Sequence, residues 1–142
     1  YSAKRKRYRY RIHRGKSAVN RSQVWTYYQE LSLAPMAAAA RLLIGAHAFG
    51  AFCKQDPVPE SLSCQIFDAT WSKQGLELVF EIEANRFLRH MVRILVGTMV
   101  DIGRSTQPPD DISALLVSGN RATAGPTAPS CGLCLLWVTY GD

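Results

Sequence analysis

The chain has 142 residues, 47% hydrophobic and 20% charged, with a formal net charge of +6. That length fits one domain, and the apolar content is enough for an ordinary globular core. No apolar run approaches the roughly 18 residues of a membrane span, and the first residues are basic and aromatic rather than the apolar stretch of a secretory signal.

Position 1 is tyrosine, from which we expect the native start to lie elsewhere. The charge is unevenly placed. Residues 1–29 hold nine lysines and arginines and no acid, which leaves the rest of the chain at −3. A local basic excess interleaved with aromatics points to a polyanion, and to nucleic acid in particular. Against this stands a basic arm kept only for solubility. The four cysteines, Cys53, Cys64, Cys131 and Cys134, show no disulfide framework and fit a reducing compartment, which predicts a cytoplasmic protein.

In chain order, "RYRYRIH" (Arg7–His13) alternates. Tyr8, Tyr10 and Ile12 fall on one face, and Arg7, Arg9, Arg11 and His13 on the other, which predicts a strand with one basic face. A loop follows from Gly15 to about Tyr28. "SLAPMAAAARLLIG" predicts a helix with Ser32 as N-cap, Pro35 in the first turn and Gly45 as its end. "AFGAFCKQDPVPES" reads as a loop broken by Pro57 and Pro59. A hairpin comes next: "SLSCQIFDATW", the turn "SKQG", and "LELVFEIEA". In its return strand Leu76, Leu78, Phe80, Ile82 and Ala84 are predicted to face inward and Glu77, Glu81 and Glu83 outward.

"NRFLRHMVRILVG" (Asn85–Gly97) opens a predicted helix over residues 86–102, closed by Gly103. At 100° per residue, Leu88, Met91, Val92, Leu95, Thr98, Met99 and Ile102 form a core stripe. Arg86, Arg89, His90, Arg93 and Gly97 fall opposite, as a basic stripe. Ile94, Val96 and Val100 shoulder Arg93, so its guanidinium is either solvated or half buried against a carboxylate or phosphate. The inventory of acids offers it no good partner, since Glu83 lies on a strand face and Asp101 more than two turns away. "PPDDISALLVSG" predicts a third helix, with Asp110 and Asp111 at its positive end. "NRATAGPTAPSCG" is a loop, and "LCLLWVTY" a final, buried strand. "CGLC" at 131–134 has zinc-knuckle spacing, but it runs into that strand and lacks a second CxxC, so metal is a minor alternative. The order of elements predicts a single α+β domain over 1–142, with a mostly antiparallel sheet and helices packed on one face.

Four stretches together resemble the C-terminal half of the bacterial tRNA pseudouridine synthase A family: "KRYRYRI" (Lys6–Ile12), "LLIGAHAFGAF" (Leu42–Phe52), "ANRFLRHMVRILVGTMVDIGR" (Ala84–Arg104) and "ATAGPTAPSCGLCLLWVTY" (Ala122–Tyr140). The resemblance implies isomerisation of uridine to pseudouridine in the anticodon arm of tRNA, with no cofactor. In that family a catalytic aspartate attacks the nucleotide, and the base detaches, turns and is rejoined through carbon 5. The aspartate sits in a "G-R-T-D-x-G-V-H" motif of the N-terminal half, and this sequence contains no such motif. By resemblance, Tyr8 is the tyrosine that stacks on the target base and Arg93 the arginine that pairs with the aspartate. His90 is RNA-facing or structural, with Arg89 beside it, while Arg7, Arg9 and Arg11 suit tRNA phosphates. The implied partners are tRNA, the missing N-terminal half and, by analogy, a second copy in a homodimer; the chain alone is expected to be inactive. Two positions depart from the family pattern: Ile94 stands where asparagine is usual, and Ala48 where the "GxHDF" aspartate belongs. The competing reading is a non-catalytic RNA-binding α+β module.

Overall fold

A computed structural model describes residues 3–15, 23–105 and 107–141. Lys16, Arg21 and Asp142 lie outside the described residues. Nine regular elements follow one another: β1 (Ala3–Arg14), β2 (Trp25–Tyr27), α1 (Leu33–Arg41), β3 (Gly45–Ala48), β4 (Ser63–Gln74), β5 (Glu77–Ala84), α2 (Met91–Gly103), α3 (Asp111–Ser118) and β6 (Leu133–Gly141). The six strands form one mixed sheet in the order β2-β1-β5-β4-β3, with β6 also paired to β1. Only the β1–β2 pairing is parallel. The fold is α+β, as the order of elements predicts.

The alternation in β1 sets the two faces. Tyr10 and Ile12 are fully buried, together with Phe80, Ile82 and Ala84 of β5 and Ile66, Ala69 and Trp71 of β4. This inner face carries the helices. Burying a large apolar side chain contributes about 1.5–3 kcal/mol, so this layer is a substantial part of the core. Between α1 and α2 the backbones come close at Gly103, where a Cβ would lie 2.5 Å from Met36 Sδ. Ser32 stands at the N-cap of α1 but makes no side-chain cap bond; its N–H instead donates to Gly103 O at 2.8 Å.

Several expectations need correction. The helix opened by "NRFLRHMVRILVG" starts at Met91, not Arg86. Its N-cap, His90, has φ +64°, a left-handed conformation that breaks the helical path for a non-glycine residue. Arg86, Arg89 and His90 therefore lie on the preceding loop and form no helical stripe with Arg93. The helix is also buried nearly all round, Ile94, Val96, Gly97 and Val100 included, as a helix apolar on every side should be.

The loop predicted from Gly15 to Tyr28 contains β2, and residues 45–48 form β3. Leu76 is not inward: the hairpin turn is Gly75–Leu76, Gly75 takes φ +64°, and Leu76 is 64% exposed. Finally β6 is no buried strand. It borders the sheet with β1 as its one partner strand among the described residues, and Leu135 and Trp137 remain 48% and 39% exposed.

Candidate active site

The site is assembled from β1, the loop before α2, the first turn of α2, and the loop that leads into β6. The loop at 85–90 is pinned by polar bonds. Gln65 N donates to Asn85 Oδ1 at 2.8 Å, and Arg86 donates to the carbonyls of Ser61 and Ser63 at 3.1 and 2.7 Å. Arg86 is thus committed to holding the loop. So held, the loop presents Phe87 edge-on to Tyr8, with ring centroids 5.0 Å apart at 88°. A β-bulge in β6 at Leu136 faces the Arg7–Tyr8 step; such irregularities re-aim side chains beside sites.

Arg93 is the third residue of α2 and is half buried. Its backbone carbonyl accepts from Ala128 N at 3.0 Å, and its Nε donates to Ala128 O at 2.7 Å. The two residues are therefore bonded reciprocally, which fixes the guanidinium plane. The loop around Ala128 is pressed onto the helix at two glycines. A Cβ on Gly97 would lie 1.7 Å from Pro126 O, and one on Gly125 would lie 2.6 Å from Thr98 Cα. Thr98 is the buried polar residue of the core; its Oγ1 donates to Ile94 O and accepts from Gly125 N at 2.9 Å. Tyr10 adds a further tie, donating its hydroxyl to Pro129 O. Burial pushes that phenol well above its usual pKa, against a smaller opposing pull from Arg93.

Tyr8, Phe87, His90, Arg93 and Leu133 line one small cavity of about 80 Å³. The structure thus brings Tyr8, His90 and Arg93 together. Arg89 lies beside the cavity but is exposed, and its carbonyl accepts from Lys54 N. Among the described residues no carboxylate lies within 4 Å of Arg93; the ion pairs belong to Arg5, Arg7, Arg11 and Arg14. The first turn of α2 also holds no acid, so a fixed cation stands at the positive end of a helix dipole. Burial lowers the pKa of His90, helped by Arg93, Arg89 and Lys54, which keeps that ring neutral at pH 7. The arrangement offers an aromatic face beside a rigid guanidinium that has hydrogen-bonding capacity left for an anion.

Arg7, Arg9 and Arg11 project from the opposite face of the sheet, where they are not equivalent. Arg7 meets Glu81, Glu83 and Asp68 at 2.8, 3.1 and 2.9 Å. Burial works against its charge, yet the bonds to Glu81 and Asp68 outweigh this and raise its pKa. Arg11 grips Glu77 with two bonds of 2.8 and 2.7 Å. That grip, opposed by burial, lowers the Glu77 pKa. Arg9 has no such ion pair among the described residues, and its buried Nε is unsatisfied. Cross-strand acids therefore neutralise much of the basic face that composition alone left unpaired. Sequence reasoning missed Phe87 and Ala128 as members of the site. Phe87 stood in the quoted "RFLRH" string, whereas the Ala128 carbonyl leaves no trace in a sequence.

Cys131 and Cys134 are exposed free thiols, and Cys53 and Cys64 are buried. Among the described residues no three His, Cys, Asp or Glu side chains gather as a metal site, and no helix is long and apolar enough to cross a membrane.

The unit is thus an α+β fold in which aromatic rings and a guanidinium share a small cavity at a helix N-terminus. Comparison with known proteins gives that unit a family. Residues 39–141 match the family model described as tRNA pseudouridine synthase, and the chain belongs to that family, as its C-terminal half. It is 42% identical over 142 residues to a protein of Moorella thermoacetica named tRNA pseudouridine synthase A, covering 99% of this chain and 58% of the relative. Relatives of the same name from Anoxybacillus flavithermus and Syntrophotalea carbinolica are 38% and 41% identical, over 100% and 99% of this chain and 58% and 56% of their own lengths. The chain thus spans a little over half the length of these relatives.

Proposed function

We propose that residues 1–142 form part of an enzyme that converts uridine to pseudouridine in the anticodon arm of tRNA, without a cofactor. An aspartate from outside this chain pairs with Arg93. The guanidinium and the adjoining helix N-terminus keep that carboxylate ionised at neutral pH, as a nucleophile must be. Tyr8 stacks on the target base, and Phe87 supports its ring from the side. The glycosidic N1–C1′ bond breaks, the base turns, the C5–C1′ bond forms, the C5 proton passes to solvent, and N1 takes up a proton in its place. Arg7, Arg9, Arg11, Arg89 and His90 face the RNA, the neutral His90 as a hydrogen-bonding group and the arginines as counter-charges. The whole enzyme acts in the cytoplasm, with a second copy as its partner in a homodimer.

One observation carries this reading: Arg93 is held rigidly by Ala128, beside Tyr8, with no carboxylate near it among the described residues. A merely structural arginine in a half-buried position normally has its charge met at home. The test is tritium release from tRNA carrying C5-labelled uridine. Residues 1–142 alone are expected to give no release above background, whereas the intact protein turns over. Robust release from residues 1–142 alone would contradict an external nucleophile. Tight tRNA binding by an intact protein that never releases tritium would favour the non-catalytic module.

A further inference from the structure

We propose a single-phosphate subsite for the RNA backbone on the face of the sheet opposite the Tyr8–Arg93 pocket, centred on Arg9. This rests on the tRNA reading above and adds to it a place and a stoichiometry. A cavity of about 440 Å³ lies on that face and is lined by Arg9, Arg11, Gln23, Ser130, Cys131 and Cys134 among others. No acid lines it. Arg11 spends its Nε and one terminal nitrogen on Glu77, whereas Arg9 lines the cavity with no ion pair among the described residues, and its Nε is buried without a hydrogen-bond partner.

A buried donor that nothing ever meets is destabilising. A guanidinium fork with its capacity unspent suits a tetrahedral oxyanion, which accepts two bonds at once. Ser130 and Gln23 add neutral donors at the rim. Leu133 lines both this cavity and the Tyr8–Arg93 pocket. The two therefore lie back to back at the start of β6, the sheet's border. An RNA strand that inserts a base on one side can set a backbone phosphate on the other by crossing that border. Arg7, paired with three carboxylates, lies outside this subsite.

The experiment uses the intact protein and an unmodified tRNA transcript. Cys131 and Cys134 report on the cavity, because both are exposed and line it. Cys53 and Cys64 are buried with thiols pushed to higher pKa by that burial, and serve as internal controls. We expect tRNA to slow N-ethylmaleimide labelling of Cys131 and Cys134 several-fold. Arg9→Gln should lower tRNA affinity about tenfold at low salt and reduce the salt slope by about one. Inorganic phosphate should shift the Arg9 Nε–Hε resonance. Undiminished labelling under saturating tRNA, in a protein that still releases tritium, would overturn the subsite while leaving the enzyme reading intact. A phosphate-induced shift with an unchanged salt slope in Arg9→Gln would overturn the assignment to RNA. The labelling measurement needs no variant, so a poorly folded Arg9→Gln does not rescue the proposal.

Discussion

Arg93 and His90 sit side by side and differ in their ties. The Arg93 guanidinium is bonded to a carbonyl, while burial, helped by Arg93, Arg89 and Lys54, lowers the pKa of His90. At neutral pH the His90 ring therefore adds no charge beside that guanidinium. This predicts an NMR titration of the His90 ring with a midpoint below the ordinary value of 6.5. A midpoint at or above 6.5 would mean that an acid reaches His90 directly and that the charge arrangement drawn here is wrong. Arg93 and Tyr8 were legible as a pair because they stand in distinctive strings. The unequal duties of Arg7, Arg9 and Arg11 were not, because they depend on acids 61 to 76 residues away that only strand pairing brings near.

At the scale of elements, α2 and the 124–129 loop form one clamp. Thr98 supplies the only side-chain acceptor for the buried Gly125 N–H among the described bonds. Thr98→Val should cost about 1–3 kcal/mol in urea unfolding, by stranding that donor. Because the loop also carries Ala128, turnover should fall through kcat more than KM. Full stability with full activity would show that the clamp is dispensable. The β1–β5 pair makes a second prediction through Arg11 and Glu77. Glu77 has a folded pKa below its ordinary value, so its contribution is complete above the usual carboxylate range and is lost as pH falls through the lowered value. Wild type should therefore exceed Glu77→Gln in stability near neutrality, and the gap should close in acid below about pH 4.5. A gap that persists unchanged into strong acid would contradict the ion pair. The strands and helices themselves were largely readable from period and caps. The start of α2 was not, since "RFLRH" keeps a helical rhythm and only the left-handed His90 interrupts it. The exposure of β6 was equally hidden, because an apolar run looks the same at a sheet border as in its middle.

For the whole molecule, the outer face of the sheet is a nearly balanced field of cations and acids around β1, and the inner face is core. Part of the basic excess of the front of the chain, Arg5, Arg7 and Arg11, is thus spent on holding β1 to β5. Two cations next to Leu133 have no ion pair among the described residues: Arg93 on the inner side and Arg9 on the outer. The composition announced a polyanion partner but could not show where the unspent charge lay. The central claim is that Arg93 is kept for an aspartate supplied from outside this chain. It is tested most directly by tritium release from C5-labelled tRNA with Arg93→Ala in the intact protein. We predict a fall in kcat of about 10²–10³-fold, the size seen when a fixed electrostatic partner of a reacting group is removed, with tRNA affinity changed by no more than about threefold. Turnover within a few-fold of wild type would contradict the account.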